Sequence, residues 1–354
     1  MIEKINITGY KSIKQMNLDL KSINILIGAN GSGKSNFISY FKLVDNLFEQ
    51  RLHNYTMQHN AEDLMFFGLK HTQDIKSEIN CKDSKYSFSL QPRANGSLFL
   101  AEEACCNTNG EIVYHKRNVD ESELQNQDSA AVHILRNHLQ GFKYYHFHDT
   151  SETSPLRMKS FLEDNRSLAK DGANLPSILY LLNVKYPKSF RRLEMIVQSV
   201  MPYFEKFVLE PSLLDSQKIE LQWIDKNTPD KYFSARDLSD GSIRFIALAT
   251  LLMQPNLPEL IIIDEPELGL HPLAISKLSG LIRSASSRGC QIIVATQSAE
   301  LISNFDVEDI ITVDKTKGAS NFNHIDKASL EKWLQEYTLG ELWNKSVING
   351  QSKG

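Results

Sequence analysis

The stretch that decides the fold is Gly28-Ala-Asn-Gly-Ser-Gly-Lys34-Ser35, which lies between an apolar run, Ile23–Ile27, and a segment with helical apolar spacing, Asn36–Phe48. It fits the pattern GxxxxGK[ST]. Between a strand and a helix, such glycines let successive backbone N–H groups face a phosphate, and the helix N-terminus adds positive potential. The pattern predicts a phosphate-binding loop in which Lys34 reaches the β- and γ-phosphates of ATP and Ser35 ligates Mg²⁺. The residues expected to contact ATP are Gly28, Asn30, Gly31, Ser32, Gly33, Lys34, Ser35 and Asn36.

A second motif supplies carboxylates. The apolar run Leu260–Ile263 ends in Asp264-Glu265-Pro-Glu267. A buried parallel strand delivers the residue at its carboxyl end to the edge of the sheet where ligands bind. We therefore expect Asp264 to hold Mg²⁺ through water and Glu265 to orient or deprotonate the attacking water.

A third motif, Leu238-Ser239-Asp240-Gly241-Ser242, precedes an apolar segment, Phe245–Met253, that reads as a buried helix. Serine is a favourable N-cap residue, and glycine permits close backbone approach. The start of this helix is therefore a candidate anion site.

Three segments, LSDGS (238–242), IIIDEPELGLHP (261–272) and VATQS (294–298), follow GANGSGKS in this order. Together they resemble the ABC-type P-loop ATPases of the soluble RecF/SMC-like branch, close to stand-alone bacterial ATPases and the OLD-family ATPase domain. The resemblance implies an α/β P-loop NTPase core of the ABC type, with a mixed sheet, an antiparallel β subdomain and an inserted helical lobe.

The resemblance also implies a division of the chain. We expect a discontinuous ATPase core over 1–60 and 205–345, an inserted lobe over 61–204 and a C-terminal tail over 346–354. Within the lobe, short antiparallel strands should precede helices. After about residue 206 an alternation of strands and helices should return, closing in a helical tail around 330–337.

Local patterns refine this division. Lys85–Leu90 and Ser97–Leu100 alternate as strands, with Asn95-Gly96 as the hairpin turn between them. Helical spacing marks Ala130–His138 and Ser189–Val200. The polar stretch 116–128 is expected to be mobile.

In the family that these motifs resemble, Ser239 and Gly241 of one subunit would close on the ATP held by the other, which implies a homodimer. The loop that carries His271 would lie at that interface. The family's switch histidine falls on Gln297, which can hydrogen-bond but cannot carry charge. We therefore expect slow hydrolysis, which suits a switch better than a motor.

Two features of this family cannot be assigned to one residue or role from the sequence. The nucleotide-sensing glutamine, a possible metal ligand, falls nearest to Gln58, with Gln50 and Gln73 as alternatives. The segment Tyr10–Ser12 lies where relatives contact adenine, and it equally fits a simple turn.

Other polar clusters are weaker candidates. His146–Asp149 has metal-ligand spacing, but a structural or exposed strand end is the favoured interpretation. A solvated helix face is favoured for Lys185–Arg192. Arg157 and Lys159 could pair with phosphates or with carboxylates, and the sequence leaves both alternatives open.

The chain of 354 residues carries 39 basic and 43 acidic residues, which argues against a constitutive nucleic-acid binder. It shows no secretory signal, no apolar run long enough to cross a membrane, and no metal-ligand spacing among its four cysteines. A cytoplasmic location is expected.

Three functions share the predicted ATPase, which would hydrolyse ATP to ADP and phosphate. The first is an ATP-gated dimeric switch for a partner effector, such as a nuclease on another chain, in bacterial anti-phage defence. The second is a RecF/SMC-like DNA-repair or chromosome-maintenance ATPase that binds DNA. The third, a remote alternative, is the ATPase subunit of a membrane transporter.

Overall fold

The computed structural model describes residues 1–127 and 129–348, so part of the expected tail, 346–354, lies outside the described residues. The chain forms two compact units. Among the described residues, the first unit comprises 1–144, 258–264 and 291–348, and the second comprises 145–257 and 265–290. The expected boundaries at 60, 205 and 345 remain a prediction.

The strands and helices below are numbered in chain order. The strands are β1 (Ile2–Tyr10), β2 (Ile13–Asp19), β3 (Ile23–Ile27), β4 (Ile75–Cys81), β5 (Ser84–Pro92), β6 (Leu98–Asn107), β7 (Ile112–Val119), β8 (Phe142–Tyr145), β9 (Ser160–Phe161), β10 (Phe204–Val208), β11 (Pro211–Ser212), β12 (Asp215–Ile219), β13 (Gln222–Asp225), β14 (Thr228–Ser234), β15 (Leu260–Asp264), β16 (Gln291–Thr296), β17 (Ile310–Thr316) and β18 (Ala319–His324). The helices are α1 (Lys34–Phe48), α2 (Leu52–His59), α3 (Ala61–Leu64), α4 (Ala130–Gln140), α5 (Leu175–Lys185), α6 (Pro187–Val200), α7 (Asp240–Met253), α8 (Pro272–Ser287), α9 (Ala299–Ile302), α10 (Lys327–Leu330) and α11 (Leu339–Asn344).

An antiparallel sheet in the first unit has the strand order β2-β1-β4-β5-β6-β7. Apolar residues alternate along β4 and β5 because one face packs on the core while the other meets solvent. The predicted hairpin is confirmed: Pro92 pairs with Leu98, and Gly96 adopts a φ of +83° in the turn.

A mixed sheet in the same unit has the order β18-β17-β3-β16-β15-β8. Its strands β17, β3, β16 and β15 run parallel, and β18 is antiparallel to β17. β3 and β16 are buried along their whole length, which explains their continuous apolar sequence. The predicted fold class, a P-loop α/β core with a mixed sheet and an antiparallel β subdomain, is confirmed.

Helix α1 lies between these two sheets. The ring of Phe37 packs edge-on against Phe41 of the same helix and at a tilt against Phe322 of β18 in the mixed sheet. On the other side, the Tyr40 hydroxyl forms a hydrogen bond with the Ser77 hydroxyl of β4 in the antiparallel sheet. Truncating one buried phenylalanine costs roughly 3–5 kcal/mol. The helix that begins at Lys34 is thus anchored on both sides.

The second unit is built around α7, whose residues Ser242–Leu252 are all buried. This helix packs against α5, α6 and α8. Its hydrophobic sequence has no polar stripe because other elements cover it on every side.

Two expectations about local structure are wrong, and a third, the helical tail, is met only by short helical segments. Residues 204–234 form small antiparallel sheets, β10-β13-β14 and β11-β12-β9, where an alternation of strands and helices was expected. β14 is largely exposed, so it has no apolar alternation. Residues 116–119 belong to β7, and their polar side chains face outward in cross-strand pairs such as Arg117 with Glu102. The helical tail breaks into α10, a 3₁₀ turn and α11.

The antiparallel sheet buries one carboxyl group, that of Glu103. Tyr86 and Tyr114 each donate a hydrogen bond of 2.7 Å to it, and the Ser122 hydroxyl donates one of 2.6 Å. Burial raises the pKa of Glu103, and the three hydrogen bonds only partly oppose this effect. The protonated form is therefore favoured in the folded state more than in the unfolded chain.

We expect Glu103→Gln to flatten the dependence of stability on pH. Because the folded pKa is raised, the contribution of Glu103 to stability is complete below its unfolded pKa, about 4.3, and is lost as pH rises through the folded value. The neutral amide removes this loss. Urea unfolding at pH 5 and pH 8 measures the difference for each variant.

Glu102→Gln is the matched control. Hydrogen bonds from His115 and Arg117 lower the pKa of this exposed neighbour, so its small contribution is lost as pH falls, not as it rises. A Glu103→Gln variant with the same pH dependence as the wild type would contradict the prediction.

Candidate functional site

Strand register brings three predicted residues to one edge of the mixed sheet. Ile27 of β3 pairs with Thr296 of β16, and Ala295 of β16 pairs with Asp264 of β15. Gly28 and Gln297 are the residues that follow Ile27 and Thr296. The loop after β3, Gln297 and Asp264 therefore all lie at the carboxyl edge of parallel strands, where ligands bind in such sheets.

The predicted phosphate loop has the conformation that its glycines permit. Gly33 adopts a φ of +119°, and a Cβ on it would lie 2.1 Å from the Ser320 hydroxyl oxygen. A Cβ on Gly28 would lie 2.2 Å from the Val313 carbonyl oxygen. Both positions exclude any larger residue, so the loop follows a path that only this glycine pattern allows.

Lys34 is buried at the start of α1, with its ammonium group inside the loop. Its Nζ donates to the carbonyl oxygens of Gly28, at 2.6 Å, and Ala29, at 3.1 Å. Ser35 is exposed in the first turn of α1. The loop thus surrounds a cation and leads into the N-terminus of a 15-residue helix, an arrangement that suits an anionic ligand.

The rest of the loop fits a phosphate ligand. Asn30 and Gly31 are exposed, whereas Ser32 is buried. Within residues 1–127 and 129–348, the Ser32 hydroxyl has no hydrogen-bond partner. A buried hydroxyl without a partner is uncommon in folded proteins, and a phosphate oxygen would satisfy it.

A serine that lies outside all of the sequence motifs supports the phosphate loop from behind. Ser320 of β18 is buried, and its hydroxyl donates to the Ser32 carbonyl oxygen at 2.6 Å. It also bonds the Ser12 hydroxyl, at 2.7 Å, which in turn accepts from Asn36 Nδ2 at 2.7 Å. This network ties the phosphate loop to the β1–β2 turn. No sequence motif marks Ser320.

A cavity of about 490 Å³ lies beside this network. Its polar lining includes Lys11, Ser12, Asn36, Gln58 and Asp63. Burial lowers the pKa of the Lys11 ammonium, and the positive charge of nearby Lys42 adds to this effect.

The three candidate sensor glutamines lie in different places. Gln58 lines the cavity beside Asn36. Gln50 instead donates to the Ser122 carbonyl oxygen at 2.8 Å, and Gln73 lines a separate cavity near Gly9. The position of Gln58 favours it among the three, although its role remains a prediction.

Gln297 and Asp264 differ in their surroundings. Gln297 Nε2 donates to Asn30 Oδ1 at 2.6 Å, so the residue expected at the switch position contacts the predicted phosphate loop directly. Asp264 is half-buried. Burial, and secondly the negative charge of Asp264, raise the pKa of Tyr144 to about 12.

The donor set fits Mg²⁺. The Ser35 hydroxyl and the Asp264 carboxylate are hard oxygen ligands of the kind that Mg²⁺ accepts together with phosphates and water. Among the described residues, no group of three or more His, Cys, Asp and Glu side chains could hold a metal ion by itself. The His146–Asp149 segment follows directly after β8, and its interpretation as a strand end remains a prediction.

The second unit places the third motif at the start of α7. Ser239 is the N-cap: its Oγ accepts from the Ser242 backbone N–H at 3.2 Å. A Cβ on Gly241 would lie 2.2 Å from the Gly269 carbonyl oxygen, so this helix start abuts the loop after the acidic motif. In that loop, His271 caps α8 by accepting from the Leu273 N–H at 3.3 Å. Ser239 and His271 are both exposed.

The two cations left open by the sequence pair with carboxylates. Arg157 Nη2 lies 2.9 Å from Asp240 Oδ1, and Lys159 Nζ lies 3.0 Å from Glu220 Oε2. In the other basic segment, Lys188, Arg191 and Arg192 are exposed, as expected of a solvated helix face.

Glu265 has an unusual backbone. Its φ is +43°, in the left-handed region that non-glycine residues seldom adopt. Such a residue costs on the order of 1 kcal/mol or more, and strain of this kind clusters at functional sites. The motif predicts a role for Glu265, but local sequence does not reveal this conformation.

We expect Ser320→Ala to weaken nucleotide binding while the fold is kept. Loss of the hydroxyl removes the support of the Ser32 carbonyl, and a hydrogen bond of this kind is worth roughly 3- to 10-fold in an equilibrium constant. Titration with a fluorescent ATP analogue measures the affinity. Thr312→Val is the control, because it removes a single hydroxyl bond between β17 and β18 without touching the loop. Equal affinities of the two variants would contradict the prediction.

Two solved structures with the same fold are heads of Smc proteins. A crystal structure of an Smc head bound to the C-winged helix domain of ScpA covers 94% of this chain and 99% of that chain, with a TM-score of 0.61 and 18% identity. An Smc head with an extended coiled coil, bound to a ScpA domain derived from Pyrococcus furiosus, gives a TM-score of 0.57 and 15% identity over 95% of this chain and 99% of that chain. At this identity the likeness concerns the fold.

Curated relatives match over shorter stretches. The energy-coupling factor transporter ATP-binding protein EcfA2 of Lactobacillus delbrueckii subsp. bulgaricus is 25% identical over 130 residues, 36% of this chain and 44% of that protein. The EcfA protein of Methanocaldococcus jannaschii is 35% identical over 65 residues, 18% of this chain and 23% of that protein. The chain thus spans less than half the length of these relatives. In the part of the chain that the structure describes, no helix is both long and apolar enough to span a bilayer.

A family model covers most of the chain. Residues 23–303 match the family described as "AAA domain, putative AbiEii toxin, Type IV TA system". The matched range includes the phosphate loop, the acidic strand end and Gln297. This match shows that the chain belongs to that family of P-loop ATPases, and its fold is that of the Smc heads.

Proposed function

We propose that this chain binds and hydrolyses ATP, and that two copies close on ATP to form a switch read by a partner protein. The observation that carries the proposal is the register of β3, β16 and β15, which sets the phosphate loop, Gln297 and Asp264 at one edge of the mixed sheet. Membership of a P-loop ATPase family supports it.

The first unit offers a place for each part of ATP. The triphosphate would lie on Gly28–Ser35, where Lys34 and the α1 N-terminus supply positive charge and Ser32 supplies a hydroxyl without a partner among the described residues. The nucleoside would enter the cavity that contains Lys11 and Ser12. The hydrogen bond between Asn36 and Ser12 connects the two parts.

The residues divide the chemistry among them. Mg²⁺, held by Ser35 and Asp264, would neutralise phosphate charge when bound with ATP. Glu265 would accept a proton from the attacking water or orient it, and its strained backbone would fix the direction of the carboxylate. Gln297 contacts the phosphate loop through Asn30, and its amide would hydrogen-bond the γ-phosphate or the attacking water. Its neutrality is the reason to expect slow turnover.

Closure would occur between two copies. Ser239 is exposed at the N-terminus of α7, where backbone N–H groups and the helix dipole favour an anion. The family that the motifs resemble places Ser239 and Gly241 on the ATP of the opposite subunit, with the loop of His271 at the interface. ATP would then be part of the dimer interface.

For the biological role, we propose an effector partner in bacterial anti-phage defence, in the cytoplasm, as in the OLD-like ATPases that the motifs resemble. The family description, which names a toxin, is compatible with an effector system. A RecF/SMC-like role on DNA is the alternative that the Smc-head fold favours. Against it, acidic residues outnumber basic ones, and the longest helix within the described residues, α8, has only 16 residues. The third function, in a membrane transporter, is that of the curated relatives named above. Each of these matches, however, covers only part of the relative's length.

We expect Glu265→Gln to trap an ATP-bound dimer. Removing the general base should lower kcat by roughly 100-fold or more while binding persists. Light scattering after size exclusion, with and without MgATP, measures the mass, and phosphate release measures turnover. Glu267→Gln, the same chemical change two residues away, should retain turnover. Normal hydrolysis by Glu265→Gln would refute the assignment.

The trapped dimer also separates the alternatives. Isolated by affinity from its native host with ATP, it would carry a protein effector under the first function and DNA alone under the RecF/SMC-like alternative.

We expect Gln297→His to accelerate hydrolysis by roughly 10-fold, because a histidine at this position can carry charge and transfer a proton near the γ-phosphate. Gln297→Ala, which loses the bond to Asn30, should be slower than the wild type. Steady-state phosphate release at saturating ATP measures all three. A wild-type rate that is already rapid and unchanged by histidine would show that Gln297 does not limit turnover.

A further inference from the structure

A buried arginine of the second unit holds the loop that leads into α7. The side chain of Arg157 is only 5% exposed. Its Nη1 donates to the carbonyl oxygens of Ala235, at 2.6 Å, and Leu238, at 2.9 Å. Its Nη2 donates to Asp240 Oδ1 at 2.9 Å, and its Nε donates to the Thr150 carbonyl oxygen at 2.9 Å.

These bonds determine the shape of the loop. Two acceptors are backbone carbonyls just before α7, and the third is a side chain in its first turn. A guanidinium group presents its donors in a rigid planar fork, so it fixes the relative positions of all three acceptors. Without it, the Leu238 carbonyl would lose the bond from Nη1, and the Ala235 carbonyl would keep only the bond of 3.3 Å from the Leu238 N–H. The position of Ser239, which lies between Leu238 and Asp240, therefore depends on Arg157.

The ion pair between Arg157 and Asp240 also offsets the negative charge of Asp240. The side chain of Asp240 is 68% exposed at the N-terminus of α7. A carboxylate there is favourable for an isolated helix, but it would repel a triphosphate brought to the same end. The guanidinium of Arg157, 2.9 Å away, reduces this repulsion.

We propose that Arg157 is a positioning residue of the composite ATP site: it holds Ser239 in place and neutralises Asp240, so that the start of α7 can receive the ATP of a second copy. This inference rests on the proposed function, since it requires closure in trans. Arg157 would not contact ATP. Its effect would appear in closure of the dimer and not in the binding of nucleotide to a single subunit.

The test uses the full chain with Glu265→Gln as the background, so that hydrolysis does not interfere. Adding Arg157→Met should leave the affinity for a fluorescent ATP analogue unchanged. The ATP concentration for half-maximal dimer formation should rise by roughly 10-fold or more, as expected when charge-assisted hydrogen bonds are lost. Lys159→Met is the matched control, because it removes an equally charged residue two positions away that pairs with Glu220 instead. It should leave both quantities unchanged.

A second substitution distinguishes positioning from general destabilisation. Asp240→Asn removes the charge that Arg157→Met leaves unpaired, so the double substitution should recover part of the lost dimer formation. Arg157→Lys keeps the charge but not the planar fork, and it should fall between the wild type and Arg157→Met. A purely structural role predicts no recovery by Asp240→Asn.

The outcomes separate the two proposals. If Glu265→Gln alone forms no ATP-dependent dimer, the proposed function is wrong. If it does, and Arg157→Met dimerises at the same ATP concentration, the role of Arg157 is overturned while the proposed function stands. If Arg157→Met does not fold, Arg157→Lys decides: dimer formation equal to the background overturns the role, and weakened formation with unchanged nucleotide affinity supports it.

Discussion

In-register parallel pairing of β17, β3, β16 and β15 is the constraint on which the candidate site depends. Each of these pairings is between strands that run in the same direction, so their carboxyl ends meet at one edge. A shift of one residue in the pairing of β16 would move Gln297 away from Asn30. It would also place every side chain of the strand on the opposite face of the sheet. Close-packed side chains cover both faces of β3 and β16, so such a shift would disrupt their packing and is costly. The chemistry is thus held in place by the core.

The parts that sequence could predict are those with local causes. A few neighbouring residues are enough to predict the glycine loop, the buried strands β3 and β15, and helix α1. Parallel strands then imply that Asp264 and the phosphate loop share an edge. The N-cap at Ser239 was predictable for the same reason, because a serine before an apolar helix acts on its own first turn.

The parts that sequence could not predict depend on distant partners. Ser320 supports a carbonyl group that lies 288 positions earlier, and Arg157 binds a loop about 80 positions later. A lone serine or arginine carries no sign of such a contact. β14 was missed for a different reason: an exposed edge strand needs no apolar alternation, since neither face is fully buried. The left-handed backbone of Glu265 likewise arises from surrounding structure.

The contact between Gly241 and Gly269 has a mechanical consequence. No side chain separates the two backbones, and the Arg244 guanidinium bonds the neighbouring Leu268 carbonyl oxygen from the same helix. The first turn of α7 and the loop before α8 therefore meet backbone to backbone, with no side chain between them that could absorb a displacement. We expect a movement of this loop to shift the start of α7 with it.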